Sequence, residues 1–537
     1  MNLYSAIFGK DQGDKPAILF ESSQLSYRNL QNLTNQAVSL LKQLDIQPGE
    51  RLALLLNDSP EFIAFFISSC SLGAIAVPIN MALQPGIQQE ILANSNATKA
   101  VVEADLCKRL LTGEGQTLHS LRDLIVIDRG PGKAEAEPQK TPERFRVHSF
   151  SAAPDRDHQV DLTMLTGQAE QPSFILYTSG STGEPKGAVH TTADIFYTNE
   201  TFCSQVLRLK DGDRLFSSSR LPFAYGLGNS FTFPLLNSCT TILCHQKPTP
   251  EVIAGIFTQY RPTIFFGVPV VYTLLLEHHK QIDPLDCSSL RLCISAGESL
   301  PARVGEEWEK TFGVQVLDGI GSTEMLHMWM SNLAGEVRYG SCGKLLTGYE
   351  AKLLSADGKP IPVGEEGNLW VRGRSASRRY WQRPDATART FVEGWVRTGD
   401  LFRCDGNGYW YHLGRSDDCF KSSGQWVSPV EVEDVLLRNP KLSRAAVVED
   451  FDEKGLPCAC AFVIRQNSEW DAVALESELR GHCRELLPRH KQPRRYLFVD
   501  ELPYTATGKI QRFKLRERLR QSPKSRVQTS GDAASAR

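Results

Sequence analysis

The sequence predicts an α/β protein with a large N-terminal domain of stacked, mostly parallel sheets, a β-rich subdomain within it, and a small α+β C-terminal domain. Short apolar or β-branched runs alternate with helical stretches over most of the chain, which is typical of parallel sheets covered by helices. After about Tyr339 the pattern changes to short strands with glycine turns, and this indicates the β-rich part. A second change near Gly414 begins a unit of about a hundred residues, an ordinary domain size.

The individual elements follow from this pattern. The predicted strands of the parallel sheets are Arg51–Leu56, Lys99–Val102, Leu124–Ile127, Pro262–Phe266, Leu290–Ile294 and Val314–Leu317, with helices at Glu251–Gln259 and Ala302–Phe312. The later predictions are strands at Glu350–Leu354, Gly367–Arg372, Ala445–Val448 and Ala459–Ile464, and helices at Pro429–Arg438 and Ala472–Leu487. The polar segment Pro131–Arg156 predicts a surface loop.

The stretch Phe62–Gln89 contains no charged residue and could be mistaken for a membrane span. Three serines, a glycine and two prolines interrupt it, so its purely apolar runs are short. We therefore predict a buried helix over about Glu61–Leu72, followed by a buried strand at Ala74–Pro78, and no membrane span.

Composition limits the class of protein. The chain has 537 residues, of which 41% are hydrophobic and 23% charged, and this excludes a disordered or fibrous protein. Sixty basic and 62 acidic residues give a net charge of −2. Because there is no basic excess, the sequence predicts no nucleic-acid partner.

Cysteine usage bears on the compartment. The thirteen cysteines are scattered from Cys70 to Cys483, without the spacing of a zinc site. Scattered thiols fit a reducing compartment better than a disulfide framework. The segment Met1–Lys10 lacks the pattern of a signal peptide. These observations predict a soluble, cytoplasmic protein.

The sharpest local signal is Tyr177-Thr-Ser-Gly-Ser-Thr-Gly-Glu-Pro-Lys-Gly187, which follows the predicted strand Phe174–Tyr177. Two glycines three residues apart let successive backbone N–H groups converge on an anion. Four hydroxyl side chains and Lys186 add further donors. The segment therefore predicts a phosphate-binding loop that differs from the Walker A pattern. The alternative is a flexible Ser/Gly linker.

A second signal is Asp318-Gly-Ile-Gly-Ser-Thr-Glu324, directly after the predicted strand Val314–Leu317. Ligands of parallel sheets bind at the carboxyl ends of the strands. A carboxylate beside two hydroxyls suits Mg²⁺ on a triphosphate. The alternative is a tight turn ahead of a helix capped by Ser322 or Thr323.

Two further segments carry weaker signals. Trp395–Asp400 and Gly414–Asp417 place a carboxylate and an arginine where they could hold a ribose or a phosphate, although these residues alone favour two hairpin turns with solvated charges. In Tyr504-Thr-Ala-Thr-Gly-Lys509 the lysine lies on a predicted turn of the small domain, where it could move in and out of a cleft.

Together, in this order and at these separations, the four segments resemble the adenylate-forming superfamily of acyl-CoA synthetases, carrier-loading adenylation domains and luciferases. The match runs from Leu25–Tyr27 to Arg512. Within the superfamily the chain is most similar to the benzoate–CoA ligase branch of aryl-CoA ligases. The residues that carry this closer likeness are Phe223–Asn229, Phe266–Pro269, Ser295–Glu298, Asp318–His327 and Phe420–Pro429.

The resemblance implies an ATP- and Mg²⁺-dependent enzyme that activates an aromatic, benzoate-like carboxylate as an acyl-adenylate and transfers it to coenzyme A. It implies two domains, 1–416 and a mobile lid at 417–521 that turns about Asp417. The small and polar residues of 522–537 predict a disordered tail. Lys509, Glu324 and Lys186 would be the catalytic residues, with Glu324 as the Mg²⁺ ligand. The ATP-binding residues would be Thr178, Ser179, Gly180, Ser181, Thr182, Gly183, Gly297, Glu298, Ser299, Asp318, Gly319, Thr323, Asp400 and Arg415. Lys421, Ser422, Ser423 and Gly424 would line the coenzyme A tunnel.

The resemblance also implies an acyl pocket formed by Ala224, Tyr225, Gly297, Ile320 and His327, which suits an aromatic ring. His327 could equally be a hydrogen-bonded core residue. Trp329 departs from the branch and could reshape the back wall of the pocket. The acid itself stays open: benzoate, a substituted benzoate, or a cyclic or medium-chain acid.

Other readings of the same residues remain. A free-standing adenylation enzyme could load the acyl group onto an acyl carrier protein, and a luciferase-type oxygenase would need a special substrate. A regulatory protein without turnover is disfavoured because Lys186, Glu324, Asp400 and Lys509 are all present. The sequence is compatible with a monomer or a homodimer.

Overall fold

Two compact units, Met1–His412 and Leu413–Arg537, make up the chain in a computed structural model that describes residues 2–104, 119–128, 145–179, 185–467, 469–504 and 510–521. The predicted division before Asp417 and the predicted mobility of the smaller domain stay predictions. The predicted tail, 522–537, lies outside the described residues.

The first unit is built on a nine-stranded sheet. From one edge to the other it contains β16 (Lys344–Leu345), β15 (Met328–Ser331), β14 (Val316–Gly321), β13 (Leu292–Ser295), β12 (Ile264–Gly267), β10 (Arg214–Ser217), β11 (Thr240–Leu243), β1 (Pro16–Phe20) and β2 (Ser23–Ser26). The pairs from β1 through β11, β10, β12 and β13 to β14 are parallel, and antiparallel pairs close both edges. Strands such as β12 and β13 are buried at every position, which is why they are continuous apolar runs in the sequence.

The first unit also contains a seven-stranded sheet. It contains β7 (Arg146–Ser151), β6 (Asp123–Asp128), β5 (Lys99–Glu103), β3 (Arg51–Leu55), β4 (Ile75–Pro78), β8 (Pro172–Ser179) and β9 (Pro185–Thr191). All pairs are parallel except β8 with β9. The α/β class and the mostly parallel sheets are therefore confirmed.

The predicted surface loop at Pro131–Arg156 is wrong in part, because Arg146–Ser151 forms the edge strand β7. Only Phe150 of this strand is buried, so its sequence lacks the apolar run that marks a central strand. Residues 129–144 lie outside the described part of the chain.

Several helices of the first unit begin at a side-chain cap. Ser26 accepts a hydrogen bond from the backbone of Asn29 at the start of one helix, and Thr191 does the same for Asp194 at another. The helices are Leu3–Phe8, Tyr27–Gln43, Pro60–Ser71, Pro85–Ser95, Thr192–Thr198, Ala224–Leu227, Phe233–Leu236, Pro250–Tyr260, Pro269–Gln281, Ala302–Phe312 and Pro384–Thr390. Two π-helical segments, Asn199–Leu207 and Gly228–Thr232, and two 3₁₀ turns, Leu162–Met164 and Thr323–Met325, complete the set.

The first part of the uncharged segment Phe62–Gln89 lies in the helix Pro60–Ser71, all of whose residues are buried. Its Phe66 ring contacts Phe174 of β8 at 5.4 Å and Phe231 at 5.3 Å between ring centroids. The predicted buried helix followed by a buried strand is confirmed. Among the residues described, none of the helices combines the length and the apolar character that crossing a membrane requires.

The β-rich part is a smaller antiparallel sheet. It contains β17 (Glu350–Leu354), β18 (Glu366–Arg372), β20 (Trp395–Cys404) and β19 (Phe391–Val392) in that order, and β21 (Trp410–Arg415) pairs with β20. Alternate residues of β18 are buried, which is the period expected of a sheet with one solvent-facing side.

The second unit is a small α+β structure. It contains a hairpin, β22 (Phe420–Ser422) and β23 (Gln425–Val427), and a sheet in the order β24 (Leu442–Phe451), β25 (Pro457–Arg465) and β26 (Arg495–Phe498). Helices Pro429–Leu437, Ala472–Leu486 and Arg512–Gln521, with a 3₁₀ turn at Arg489–Lys491, accompany the sheet.

Candidate active site

The strands that flank the predicted phosphate loop are paired side by side. In β8 and β9, Thr178 lies opposite Lys186 and Ser179 opposite Pro185. The next residue, Gly187, has no room for a side chain, because a Cβ atom there would lie 2.6 Å from Cγ2 of Ile175. The predicted loop residues Gly180, Ser181, Thr182 and Gly183 lie outside the described residues.

A segment from the β-rich part runs along β9 and connects it to Glu324. The backbone N–H of Trp381 donates to the carbonyl of Gly187 at 2.7 Å, and Tyr380 forms a bridge with Ala188. The hydroxyl of Tyr380 donates to Oε1 of Glu324 at 2.6 Å. The structure therefore brings the strand of Lys186 and the predicted metal ligand together through Tyr380, which the sequence reasoning missed.

His190 makes a second connection between the same two regions. Its ring is fully buried, with Nε2 at 2.8 Å from the carbonyl oxygen of Thr323 and Nδ1 at 2.8 Å from Oδ2 of Asp194. Asp194 also caps the helix that starts at Thr192. The turn that carries Glu324 is thus held against the end of β9.

The segment Asp318–Gly321 belongs to β14 and does not follow it, so the predicted end of the strand at Leu317 is wrong. Asp318 pairs with Ser295 in the parallel ladder, and Gly319 begins an antiparallel ladder with β15. A Cβ atom on Gly319 would overlap Met328 and the carbonyl of Met330, so glycine permits the close pairing. The alternative reading also holds locally, because Ser322 caps the short 3₁₀ turn Thr323–Met325.

Asp318 is buried beside the segment predicted to frame the adenine. Only 3% of the residue is exposed, and Oδ2 accepts a hydrogen bond from the backbone N–H of Leu300 at 3.3 Å. Burial raises the pKa of this carboxyl group to about 8, so the protonated form prevails at neutral pH. The adjoining Gly297 has φ = +99°, a conformation that favours glycine, while Glu298 and Ser299 are half-buried.

The predicted ribose carboxylate and the adenine segment approach each other through a residue that the sequence reasoning missed. Oγ of Ser299 lies 3.0 Å from Nδ1 of His412, and Nε2 of His412 lies 3.6 Å from Oδ1 of Asp400. The backbone N–H of Asp400 donates to Thr398 at 3.1 Å. No sequence pattern marks His412, because its two partners are far from it along the chain.

Two of the five residues predicted to form the acyl pocket, Ala224 and His327, line one narrow apolar cavity. Its other lining residues are Ile195, Thr198, Leu227, Gly228, Thr232 and Leu326. Tyr225 stands behind this lining and donates its hydroxyl to the carbonyl of Ile294 at 3.2 Å. Ile320 packs in the adjoining apolar cluster.

His327 is the ionisable residue in the lining of this cavity. Its ring lies among Phe202, Phe233 and Tyr225, at centroid distances of 4.6, 4.7 and 5.7 Å, and Nε2 lies 3.2 Å from Oδ1 of Asn229. Burial lowers the pKa of the imidazole to about 3, so the ring is neutral at physiological pH. His327 therefore both lines the cavity and makes a core hydrogen bond.

The other predicted residues lie in the second unit. Lys421 and Ser422 belong to β22, and Ser423 and Gly424 form its two-residue turn with φ of +53° and +80°, as in a type I′ hairpin. Arg415 and Asp417 are exposed. Lys509 lies outside the described residues, although the residues on either side, Tyr504 and Ile510, form an antiparallel bridge.

Two family models match the chain. The model described as AMP-binding enzyme covers residues 7–381, and the model of the AMP-binding enzyme C-terminal domain covers residues 431–509. The first match alone spans more than half of the chain.

Several characterised proteins are similar over nearly their whole length. A benzoate–CoA ligase from Thauera aromatica is 38% identical over 94% of this chain and 93% of its own length. The crystal structure of an anthranilate CoA ligase in complex with anthranoyl-AMP has a TM-score of 0.87 and 34% identity, covering 97% of both chains. A benzoate CoA ligase from Burkholderia xenovorans LB400 has a TM-score of 0.81 and 33% identity, covering 96% of this chain and all of its own. On these similarities, the chain belongs to the AMP-binding enzymes, in the benzoate–CoA ligase branch of the adenylate-forming superfamily.

Proposed function

We propose that this protein is an AMP-forming aryl–CoA ligase that activates a benzoate-like carboxylate with ATP and transfers it to coenzyme A. One observation carries the proposal: His327 follows the turn Thr323–Met325 that contains Glu324, so the proposed metal ligand and the cavity that His327 lines are neighbours in the chain. The names of the relatives, which include benzoate, hydroxybenzoate and anthranilate ligases, support an aromatic acid.

In the proposed reaction an oxygen of the carboxylate attacks the α-phosphorus of ATP and expels pyrophosphate. The sulfur of coenzyme A then attacks the acyl-adenylate carbonyl and expels AMP. Lys186 and the loop from Thr178 to Gly183 would hold the departing phosphates, because backbone N–H groups and a lysine stabilise the charge that collects there. Asp400 would hold the ribose, and Asp318, Gly319 and residues Gly297–Ser299 the adenine.

The proposed metal is Mg²⁺ on the triphosphate, and when bound it would neutralise phosphate charge. Glu324 fits this role, since Tyr380 fixes one of its oxygens and Thr323 adds a hydroxyl beside it. In the described residues no group of three or more His, Cys, Asp or Glu side chains could hold a metal alone. A single carboxylate suits Mg²⁺, which prefers to keep water and phosphate ligands.

The small domain supplies the remaining proposed residues. Lys509 would reach the α-phosphate and the substrate carboxylate during adenylation, with Arg415 at the ribose. A turn about Asp417 would then replace Lys509 by the Lys421–Gly424 hairpin for thioester formation. The lysine and the hairpin would thus serve two different half-reactions.

An acyl carrier protein is the second thiol acceptor proposed, since its phosphopantetheine presents the same thiol as coenzyme A. A relative from Mycobacterium tuberculosis named p-hydroxybenzoic acid–AMP ligase, 30% identical over 95% of this chain, favours keeping this alternative. The proposed setting is the cytoplasm, which the free thiols of the cysteines in the described residues support. The proposed oligomeric state is a monomer or a homodimer, which light scattering after gel filtration would distinguish.

The proposal is tested by pyrophosphate release across a panel of acids, with benzoate, 2-aminobenzoate, hydroxybenzoates, cyclohexanecarboxylate and hexanoate. Each acid is run with coenzyme A, with a holo carrier protein, and with neither. Turnover with benzoate-type acids that requires coenzyme A is expected. Turnover that rises only with the carrier protein would exclude the CoA-ligase reading.

A variant separates the two half-reactions. We expect Lys509→Ala to abolish adenylate formation while it spares thioester formation from a supplied benzoyl-adenylate. Equal loss of both half-reactions would contradict the proposed division of labour.

A further inference from the structure

His412 occupies a position between two regions that are distant in sequence. Nδ1 of its ring faces Oγ of Ser299 at 3.0 Å, in the segment that follows β13, and Nε2 faces Oδ1 of Asp400 at 3.6 Å, in β20. The Phe402 ring packs against the imidazole with a centroid distance of 5.2 Å. The side chains of His412 and Asp400 are only 16% and 12% exposed, so this geometry is held by packing.

The partners determine which ring nitrogen of His412 donates a hydrogen bond. A carboxylate only accepts hydrogen bonds, so Nε2 must carry the proton that points to Asp400. Nδ1 then accepts from the hydroxyl of Ser299, which can donate. At 3.6 Å the contact with Asp400 is longer than a hydrogen bond, and it would shorten when a ligand orders the carboxylate, as polar contacts in empty active sites commonly do.

We propose that His412 is a positioning residue for ATP that couples the ribose carboxylate Asp400 to the adenine-side residue Ser299. This inference rests on the proposed function, which assigns those two residues to the nucleotide. The imidazole keeps two separate parts of the nucleotide site close to each other before ATP binds, so that less ordering is left to ATP. His412 acts through Asp400 and Ser299 and does not touch the reacting atoms.

This role predicts a specific kinetic signature. Loss of the bridge should weaken ATP binding and leave the chemical step intact once ATP saturates the enzyme. Loss of a hydrogen bond to a charged group typically lowers affinity about tenfold or more. The KM of the aromatic acid should stay within about twofold, because the cavity around His327 is built from other residues.

Two conservative variants distinguish the two contacts. In His412→Gln the amide nitrogen can take the place of Nε2 as donor and keep the contact with Asp400. In His412→Asn the amide oxygen can take the place of Nδ1 as acceptor and keep only the contact with Ser299. We expect His412→Asn and His412→Ala to raise the KM and the Kd of ATP about tenfold, with kcat within about twofold. His412→Gln should recover most of the affinity.

A matched control is available in the other sheet of the same unit. His148 also faces a buried carboxylate, with Nε2 at 2.9 Å from Oδ1 of Asp123, and it lies outside the proposed site. His148→Asn should leave the KM of ATP unchanged. Melting temperatures are measured for all variants to identify those that fold poorly. ATP affinities of His412→Gln and His412→Asn are then compared at a temperature at which both variants are folded.

The measurement is ATP binding by calorimetry without acid, together with initial rates of pyrophosphate release at varied ATP. An unchanged ATP affinity in His412→Asn, a loss confined to kcat, or a His412→Gln variant as poor as His412→Ala would overturn the inference. A wild-type enzyme that binds ATP yet activates no aromatic acid would contradict the proposed function alone. A wild-type enzyme that forms the thioester while its His412 variants keep full ATP affinity would contradict this inference alone.

Discussion

Nε2 of His190 lies 2.8 Å from the carbonyl oxygen of Thr323, which is 133 residues further along the chain. The other ring nitrogen faces the carboxylate of Asp194, so one fully buried imidazole ties the end of β9 to the turn that carries Glu324. The position of the proposed metal ligand relative to Lys186 therefore depends on a side chain outside both motifs.

Replacement of His190 by phenylalanine tests this dependence. The variant His190→Phe keeps a ring next to Phe174, whose centroid lies 5.4 Å from the imidazole, but it removes both polar contacts. The two acceptors keep other donors, the backbone N–H of Leu326 for Thr323 and that of Thr191 for Asp194. Each lost hydrogen bond of His190 should therefore cost about 0.5–1.5 kcal/mol, and urea unfolding should show a lower free energy of unfolding. Adenylation should fall more than tenfold under conditions in which the variant is folded. In the matched control His148→Phe, stability should fall while adenylation by the folded enzyme persists, and equal activity of the two variants would contradict the expectation.

Tyr380 should control how Glu324 uses Mg²⁺. Tyr380→Phe removes the donor that lies 2.6 Å from Oε1 of Glu324 and leaves the ring in place. Because groups that orient a metal ligand commonly affect metal affinity about 10- to 100-fold, we expect half-saturation of adenylation to need at least tenfold more Mg²⁺. A titration of Mg²⁺ at saturating ATP measures this. Tyr409→Phe is the control, since it removes a similar hydroxyl contact, to the carbonyl of Glu336 at 3.0 Å, elsewhere in the unit.

Gly228 should limit the size of the acyl pocket. A Cβ atom at this position would lie 2.6 Å from Cδ2 of His327 and 2.9 Å from Cε2 of Phe233, so Gly228→Ala must displace one of these rings. Overpacking of this kind costs about 1–3 kcal/mol. We expect kcat/KM for benzoate to fall at least tenfold while the KM of ATP changes little. Gly255→Ala is the matched control: nothing lies within 4 Å of its Cβ position in helix Pro250–Tyr260, and it should stabilise the protein by about 0.5–1 kcal/mol.

The buried carboxyl of Asp318 makes stability fall as pH rises. Its pKa is about 8 in the folded protein against 3.8 for an exposed group, so between these values the folded state binds more protons than the unfolded state. The free energy of unfolding should therefore decrease from about pH 4 to pH 8. In Asp318→Asn this contribution is absent. Urea unfolding should therefore show that the free energy of unfolding of the variant, relative to that of the wild type, increases as pH rises. A difference in free energy of unfolding between the two proteins that does not change with pH would refute this expectation.

The buried imidazole of His327 should make stability fall as pH falls, opposite to the effect of Asp318. Burial lowers its pKa to about 3 from 6.5, so below pH 6.5 the unfolded state takes up a proton that the folded state rejects. The stability contributed by the neutral ring is complete above pH 6.5 and is lost as pH falls toward 3. The free energy of unfolding of His327→Asn, relative to that of the wild type, should therefore increase as pH is lowered from 6.5 to 4.5. The same unfolding experiment measures this.

Much of the fold could be predicted because buried parallel strands are short apolar runs. The strand Arg51–Leu55 and the helix Pro60–Ser71 lie where the sequence placed them to within one or two residues. The sequence prediction ended strand β14 too early, at Leu317, because a strand that continues through two glycines carries no apolar pattern. Its antiparallel pairing from Gly319 onward depends on β15, and such a partner has no local signal.

The candidate site was predictable where a motif is continuous in sequence, and it was not where the contact is made by tertiary packing. Asp318 and Glu324 belong to one motif that is continuous in sequence. Tyr380 contacts Glu324, His190 contacts Thr323 and His412 contacts Ser299, and each of these contacts is made only in the folded chain. A histidine or a tyrosine that lacks neighbours of a functional type is indistinguishable in sequence from a core residue. These three residues therefore emerge only from the arrangement of the sheets.

The thiols of the chain have a chemical consequence for an enzyme that makes acyl-adenylates. Such a compound is an electrophile, and a thiolate of the protein close to it would capture the acyl group in place of the intended acceptor. Cys342 is buried, and burial together with the carboxyls of Asp318 and Asp400 raises the pKa of its thiol well above the ordinary value. Because the thiolate and not the thiol is the nucleophile, this sulfur stays inert and the enzyme is protected against acylating itself at Cys342.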